Sequence, residues 1–169
     1  MVKLNNIIFG TLFFTFAASA ATPDQLREQA VLQTREGQLT AGLTVLEQLV
    51  KAYPDDQKVL ADYIVIAAQA KQLNAEKMDI LQHIQIQNFP EYAQLPTVKA
   101  LRDLKLFPQA LQLLQQFEPL QRKDKTTFTV LKAVLLAESK QVQPALDVLK
   151  TLKIATLDAG LNLQVAYVY

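Results

Sequence analysis

The sequence predicts an all-α protein in which pairs of antiparallel helices stack in a row as a superhelical solenoid. One helical turn, a small residue followed by leucines one and four positions later, recurs at Gly42, Ala110 and Ala145, with a weaker copy at Ala75. Successive copies lie 33, 35 and 35 residues apart, and such a period is typical of stacked helical repeats. The chain has only four glycines and no sustained period-two alternation, so no β-strand is predicted.

The first 20 residues have the parts of a secretory signal peptide. Lys3 supplies a positive charge, an uncharged apolar run starts at Ile7, and Ala18-Ser19-Ala20 matches the small-x-small cleavage pattern. The run is too short to span a bilayer comfortably, and an uncleaved anchor is the alternative. We therefore expect a signal peptide over residues 1–20 and a repeat array over 22–169. A signal of this style suits a Gram-negative bacterium, which places the chain in the periplasm or at the outer membrane.

The first helix pair follows the signal peptide. Thr22 or Asp24 can cap the first helix, and Gly37 ends it, as glycine commonly does at this position. The second helix is predicted from about Thr40 to Ala52, with a stripe of leucines on one face. Pro54-Asp55-Asp56 closes the pair, and one of its carboxylates is expected to cap the next helix rather than to bind calcium or act in catalysis.

The next two pairs are predicted from the same pattern. The second pair starts near Gln57, breaks at Leu73-Asn74 and continues in a helix from about Ala75 to Gln87. The third breaks at Leu106-Phe107-Pro108, and its second helix stops near Pro119.

A charged loop, Gln121 to Thr126, leads into the fourth pair, which breaks between Gln141 and Pro144. The segment from Leu161 to Tyr169 fits the first helix of a fifth pair. The array thus holds about four repeats and the start of a fifth. A solenoid that ends on an apolar half-repeat leaves a face open, so we expect the chain to be a fragment of a longer protein or another segment to cover this end.

Compact residues recur in the first helix of each pair as well. We expect each of them to lie where the two helices of a pair approach closely. At intervals of 34, 34, 35 and 33, they are Ala30, Ile64, Val98, Ala133 and Ala166.

These patterns resemble the tetratricopeptide repeat over about Asp24 to Tyr169. The first pair matches best, because the turn glycine, the small residue of the second helix, its large apolar residue and the closing proline have the family spacing. They are Gly37, Gly42, Leu46 and Pro54.

The later pairs depart from the family pattern. The tryptophan position of the first helix never holds Trp, and the turn glycine is replaced by Lys71, Lys105 and Lys140. In the second pair, strict alignment puts Glu76 where alanine belongs. A generic helix-pair repeat would have the same physical pattern.

A signal peptide followed by divergent repeats is similar to the N-terminal periplasmic region of the poly-β-1,6-N-acetylglucosamine export porin family. The resemblance implies a non-catalytic scaffold for exopolysaccharide export and biofilm formation. Its groove would guide the glucosamine polymer or dock a periplasmic polysaccharide deacetylase. In that family a C-terminal barrel follows, which would supply the only link to the outer membrane. The alternative is a free periplasmic adaptor that binds protein partners in envelope assembly.

The residue types argue against an enzyme. The chain has no cysteine, and His83 is its only histidine, so no thiolate or two-histidine metal site and no catalytic triad can be built. No glycine-rich phosphate motif occurs, and a formal charge of +1 gives no basic excess for nucleic acid. We predict no catalytic, cofactor-binding or metal site, and we expect His83 in ordinary packing or at the surface.

The resemblance places helix faces on the groove without fixing the binding residues. Carboxylates and an aromatic ring would suit a cationic, partly deacetylated glucosamine polymer, although an ordinary solvated helix face is the stronger interpretation. The aligned groove positions include Asp62, Tyr92, Lys99, Arg102 and Asp103.

Overall fold

The computed structural model describes residues 21–120, 125–152 and 157–169, which form helices and no β-strand. This confirms the all-α prediction. The predicted signal peptide, residues 1–20, and most of the predicted Gln121–Thr126 loop lie outside the described residues. Within the described ranges, no helix is long and apolar enough to cross a bilayer. The helices are α1 (Pro23–Arg35), α2 (Leu39–Ala52), α3 (Gln57–Gln69), α4 (Glu91–Asp103), α5 (Phe107–Phe117), α6 (Lys125–Glu138), α7 (Val142–Leu149) and α8 (Ala159–Val168), with 3₁₀ segments at Ala75–His83 and Glu118–Leu120.

The helices contact one another in the order of the chain. Helix α1 packs against α2, α4 against α5, and α6 against α7. Between successive pairs, α2 contacts α3, α3 contacts α4, α5 contacts α6, and both α6 and α7 contact α8. Helices that are neighbours in sequence are therefore also neighbours in space.

The turns inside the four pairs share one backbone conformation. Gly37, Lys71, Lys105 and Lys140 have φ angles of +87°, +55°, +59° and +65°. In each turn this residue's N–H donates to the carbonyl three residues earlier, and the next N–H donates to the carbonyl five residues earlier. These are the two bonds of a Schellman motif. The three lysines therefore leave the turn unchanged and adopt the left-handed conformation of the glycine.

In the first pair, α1 packs closely against Gly42, the small residue of α2. A Cβ atom built on Gly42 would overlap the Thr34 methyl and lie 2.5 Å from the carbonyl oxygen of Ala30. Ala110 and Ala145, which begin the corresponding turns of α5 and α7, are completely buried. The recurring small residue is therefore buried in these three pairs, and at Gly42 it lies at the close helix contact that the sequence predicts.

We expect Gly42→Ala to lower the free energy of unfolding by about 1–3 kcal/mol. The added methyl must displace the carbonyl of Ala30, and overpacking of this kind outweighs the gain of about 1 kcal/mol in helix propensity. The matched control is Gly160→Ala in α8, where the nearest atom is a carboxylate oxygen of Asp158 at 3.3 Å. This control should be neutral or stabilising. Urea denaturation measures both variants, and equal effects would contradict the close approach of α1 and α2.

The prediction of an α-helix from Ala75 to Gln87 is wrong. The backbone forms a 3₁₀ helix over Ala75–His83 and then leaves the helical conformation. The repeat position that is small in the other pairs holds Glu76, which is exposed, because a charged side chain is costly to bury in a close helix contact.

The buried side chain of Gln57 holds the end of this 3₁₀ segment. Its amide nitrogen donates to the carbonyl of His83 at 2.9 Å, and its amide oxygen accepts from the backbone N–H of Gln85 at 2.8 Å. In the second pair, these side-chain hydrogen bonds therefore attach the segment after the turn to α3.

The buried apolar side chains form two clusters that meet at α6. The first extends from α1 to α6 and includes Phe89 and Phe117, whose rings stack with centroids 5.7 Å apart. The second joins α6, α7 and α8 and includes Leu149 and Val165. Helix α6 is therefore buried on two faces, one toward each cluster.

Four of the five compact residues in the first helices are buried as predicted: Ala30, Ile64, Val98 and Ala133. The fifth, Ala166, is exposed, and among the described residues α8 has no second helix of its own pair, so the prediction for Ala166 is not tested. In α8 the buried residues are Val165 and Val168, and one residue corresponds to about 100° of rotation around a helix. The neighbouring Ala166 is therefore turned away from the second cluster.

Candidate binding surface

A polar cluster joins three first helices of successive pairs. Arg27 on α1 donates to Asp62 on α3, with Nη1 and Oδ2 2.6 Å apart, and the Tyr92 hydroxyl on α4 donates to the other oxygen of Asp62 at 2.5 Å. The side chains of Arg27 and Asp62 are only 15% and 12% exposed. Both carboxylate oxygens therefore already accept a hydrogen bond within the protein.

The protonation states of this cluster follow from its contacts. Burial alone would lower the pKa of Arg27, but the hydrogen bond and the charge of Asp62 raise it above its ordinary value. Burial and the hydrogen bond to Asp62 also raise the pKa of Tyr92. Arg27 is thus a cation and Tyr92 a neutral hydroxyl at neutral pH, and the cluster is a structural tie between helices.

A second polar cluster joins α4, α6 and α8. Nε and Nη2 of Arg102 donate to the two carboxylate oxygens of Glu138 at 2.7 and 2.6 Å, the bidentate geometry of a strong charge-assisted pair. The hydrogen bond to Glu138 raises the pKa of Arg102 against the opposing effect of burial. Together with Lys105, Phe107 and Tyr167, the pair lines an open pocket of about 440 Å³.

An adjacent pocket of about 400 Å³ lies between the C-terminal ends of α3 and α4. Lys71 and Asp103 supply its charged groups. Asp103 also lines the first pocket, so the two pockets share a wall. The remaining lining is apolar: Ala68, Leu73, Ala100 and Leu104.

A stripe of exposed and partly exposed residues on α4 connects the two polar clusters. Tyr92, Pro96, Lys99 and Asp103 follow one another at spacings of four, three and four residues, which places them on one side of a helix. Tyr92 is 56% exposed and Tyr167 is 65% exposed. The first helices thus present hydrogen-bonding groups and two tyrosine rings, an arrangement suited to binding.

No protein-family model, curated protein or solved structure matches this chain.

The structure brings together some of the groove positions predicted from sequence and separates others. Asp62 and Tyr92 form one cluster, Arg102 belongs to the other, and Lys99 and Asp103 are exposed between them. The partners Arg27 and Glu138 were missed. Arg27 lies 35 residues before Asp62, and Glu138 lies 36 residues after Arg102. A search for opposite charges about one repeat apart could have found both.

The remaining candidate residues have structural roles. Oδ1 of Asp56 accepts hydrogen bonds from the backbone N–H groups of Lys58 and Val59, which confirms the predicted cap of α3. Nδ1 of His83 lies 3.1 Å from a carboxylate oxygen of Asp55 at the surface. Within the described ranges, no three metal-ligating side chains come together.

Proposed function

We propose that the helix pairs form a tetratricopeptide-like solenoid that acts as a non-catalytic periplasmic scaffold. The observation that supports this best is the recurrence of one turn at Gly37, Lys71, Lys105 and Lys140, with the same two backbone hydrogen bonds each time. The contact of successive pairs in chain order supports it further, since repeats of this kind touch only their neighbours.

The scaffold is proposed to be the N-terminal part of an outer-membrane exporter of poly-N-acetylglucosamine, in line with the resemblance of the whole chain. The polymer would run along the faces of the first helices. Asp103 supplies an exposed carboxylate for its amines, and Tyr92 and Tyr167 supply rings for its sugar faces. Asp62 accepts hydrogen bonds from Arg27 and Tyr92, so it is not proposed to bind the polymer.

The alternative is a free periplasmic adaptor that binds protein partners. An exporter that docks a polysaccharide deacetylase would also bind a protein at this surface. The pocket beside Lys71 favours this role, because its apolar lining suits a side chain of a partner protein. The DNA downstream of the Tyr169 codon discriminates between the two. Continuation into alternating apolar segments of about ten residues would indicate a barrel and favour the exporter.

The double variant Asp103→Asn/Tyr167→Ala tests the polymer-binding face. We expect it to bind partly deacetylated glucosamine oligomers about tenfold more weakly, since the loss of one charge contact and one ring contact is worth about 1.4 kcal/mol or more. Titration calorimetry measures the affinity. The matched control is Asp79→Asn/Tyr53→Ala, which changes an exposed acid of the 3₁₀ segment and an exposed ring, both outside the two pockets. Equal affinities of the two variants would contradict the proposal.

A further inference from the structure

Every non-glycine residue with positive φ in the described part of the chain is a lysine. Lys71, Lys105 and Lys140 occupy the turn position that holds Gly37 in the first pair. A side chain in the left-handed conformation costs roughly 1–2 kcal/mol relative to glycine. A cation near a helix C-terminus gains about 0.3–1 kcal/mol from the helix dipole, which offsets only part of this cost. The backbone of these turns therefore still favours glycine.

The three lysines lie along one edge of the helix row, at the C-terminal ends of α3, α4 and α6. Lys71 shares a pocket with Asp103 at the end of α4, and Lys105 shares a pocket with Glu138 at the end of α6. Lys140 follows Glu138 by two residues. The lysine row, defined as Lys71, Lys105 and Lys140, thus places one cation at the end of each of these three helices. Helices α3 and α4 are in contact, and the axes of packed helices are about 8–10 Å apart.

The charges of the lysine row are directed to solvent. All three residues are exposed, and none has an ion-pair partner within 4 Å among the described residues. Two carboxylates share this edge. Glu138 is neutralised by Arg102, whereas Asp103 is exposed between Lys71 and Lys105. The cations still outnumber the carboxylates along the edge.

We propose that the lysine row binds a flexible, linear polyanion that bears phosphate, sulfate or carboxylate groups. One cation per helix pair forms a line that such a polymer can follow, and release of its condensed counterions would drive binding. Recognition of an anionic lipid surface generally uses a cluster of four to eight basic residues, which the row does not reach. This role is separate from the proposed function, because the polyanion would contact the three lysines, whereas the proposed contacts of the glucosamine polymer are Asp103, Tyr92 and Tyr167.

The triple variant Lys71→Gly/Lys105→Gly/Lys140→Gly tests the proposal on a folded protein, since glycine fits each backbone conformation. We expect its affinity for inorganic polyphosphate at low salt to fall about tenfold or more. The plot of log K against log salt should become shallower by about 2, close to three lost contacts at about 0.7 each. The matched control, Lys51→Gln/Lys58→Gln/Lys125→Gln, removes three exposed charges away from this edge. We expect it to bind polyphosphate nearly as tightly as the unaltered chain does.

Asp103→Asn supplies an independent test. It removes the exposed carboxylate beside the lysine row and should raise the affinity for polyphosphate, whereas it should not strengthen binding of glucosamine oligomers. Glucosamine oligomers therefore test the proposed function, and polyphosphate tests this inference, so that either one can fail without the other. The inference is overturned by absence of polyphosphate binding, by equal losses in the two triple variants, or by binding to phosphatidylglycerol vesicles without binding to polyphosphate.

Discussion

Replacement of Phe117 by alanine is expected to lower the free energy of unfolding by about 3–5 kcal/mol, the usual cost of removing a buried aromatic ring. Phe117 is fully buried at the end of α5 and stacks on Phe89 with an interplanar angle of 17°. The ring thus connects α5 to the irregular segment that replaces the second helix of the second pair. Denaturant titration followed by circular dichroism measures the change.

The matched control is Phe107→Ala, at the partly exposed start of the same helix. We expect this variant to lose only about 1 kcal/mol of stability, because the partly exposed Phe107 side chain buries less apolar surface on folding. The double variant Phe89→Ala/Phe117→Ala should cost less than the two single changes combined, by about 0.5–1.5 kcal/mol for the ring pair. If Phe117→Ala were no more destabilising than Phe107→Ala, the stacked pair would not be part of the core.

Asp62→Ala is expected to cost about 3 kcal/mol, because the largely buried Arg27 cation loses its only buried ion-pair partner. Asp24 and Glu28 lie 3.8 and 3.6 Å from the guanidinium but are exposed, so they compensate only in part. The Tyr92 hydroxyl loses its acceptor in the same step. Replacement of both charges, Arg27→Met/Asp62→Leu, should cost less than Asp62→Ala alone, since no buried charge then remains at this site. Thermal and denaturant unfolding of the single and double variants measures this difference.

The pair of Lys132 and Glu118 serves as the control, with nitrogen and oxygen 3.3 Å apart and both side chains about one-third exposed. Glu118→Ala should change the free energy of unfolding by no more than about 1 kcal/mol, as is usual for exposed ion pairs. A double Arg27/Asp62 variant as unstable as Asp62→Ala would show that the charge left on Arg27 is not the cause of the loss.

The period of the chain was enough to predict the four turns and three of the four pairs. Gly42, Ala110 and Ala145 mark second helices correctly: α1 approaches Gly42 too closely for a side chain, and both alanines are completely buried. The turns at Lys71 and Lys105 follow the same spacing even without glycine, because the flanking helices impose the left-handed conformation on whatever residue occupies it.

The second pair could not be predicted from spacing alone. Met78, Leu81 and Ile84 have the spacing of an amphipathic α-helix, so the local pattern gives no sign of the 3₁₀ segment. The conformation depends instead on the exposed Glu76 and on the contact of Gln57 with a backbone 26 residues away. A local pattern contains no information about such a distant hydrogen bond.

The polar clusters were predictable only in part for a related reason. The repeat register indicated which helix face Asp62 and Arg102 occupy, but their hydrogen-bond partners lie on neighbouring pairs. Whether a charged side chain is free for a ligand or bound within the protein depends on these partners. For that reason Asp62, a plausible groove carboxylate from sequence, is a structural residue.

The interpretation depends on helix pairs that are stabilised by their immediate neighbours in a row. Native-state hydrogen exchange of the Leu149→Ala variant tests this. Leu149 is completely buried in the second cluster, and its truncation should remove about 2–5 kcal/mol of local stability. We expect amide protection to fall in α7 and α8 and to remain unchanged in α1 to α3, as nearest-neighbour coupling requires. An equal loss of protection from α1 to α8 would contradict the stacked arrangement.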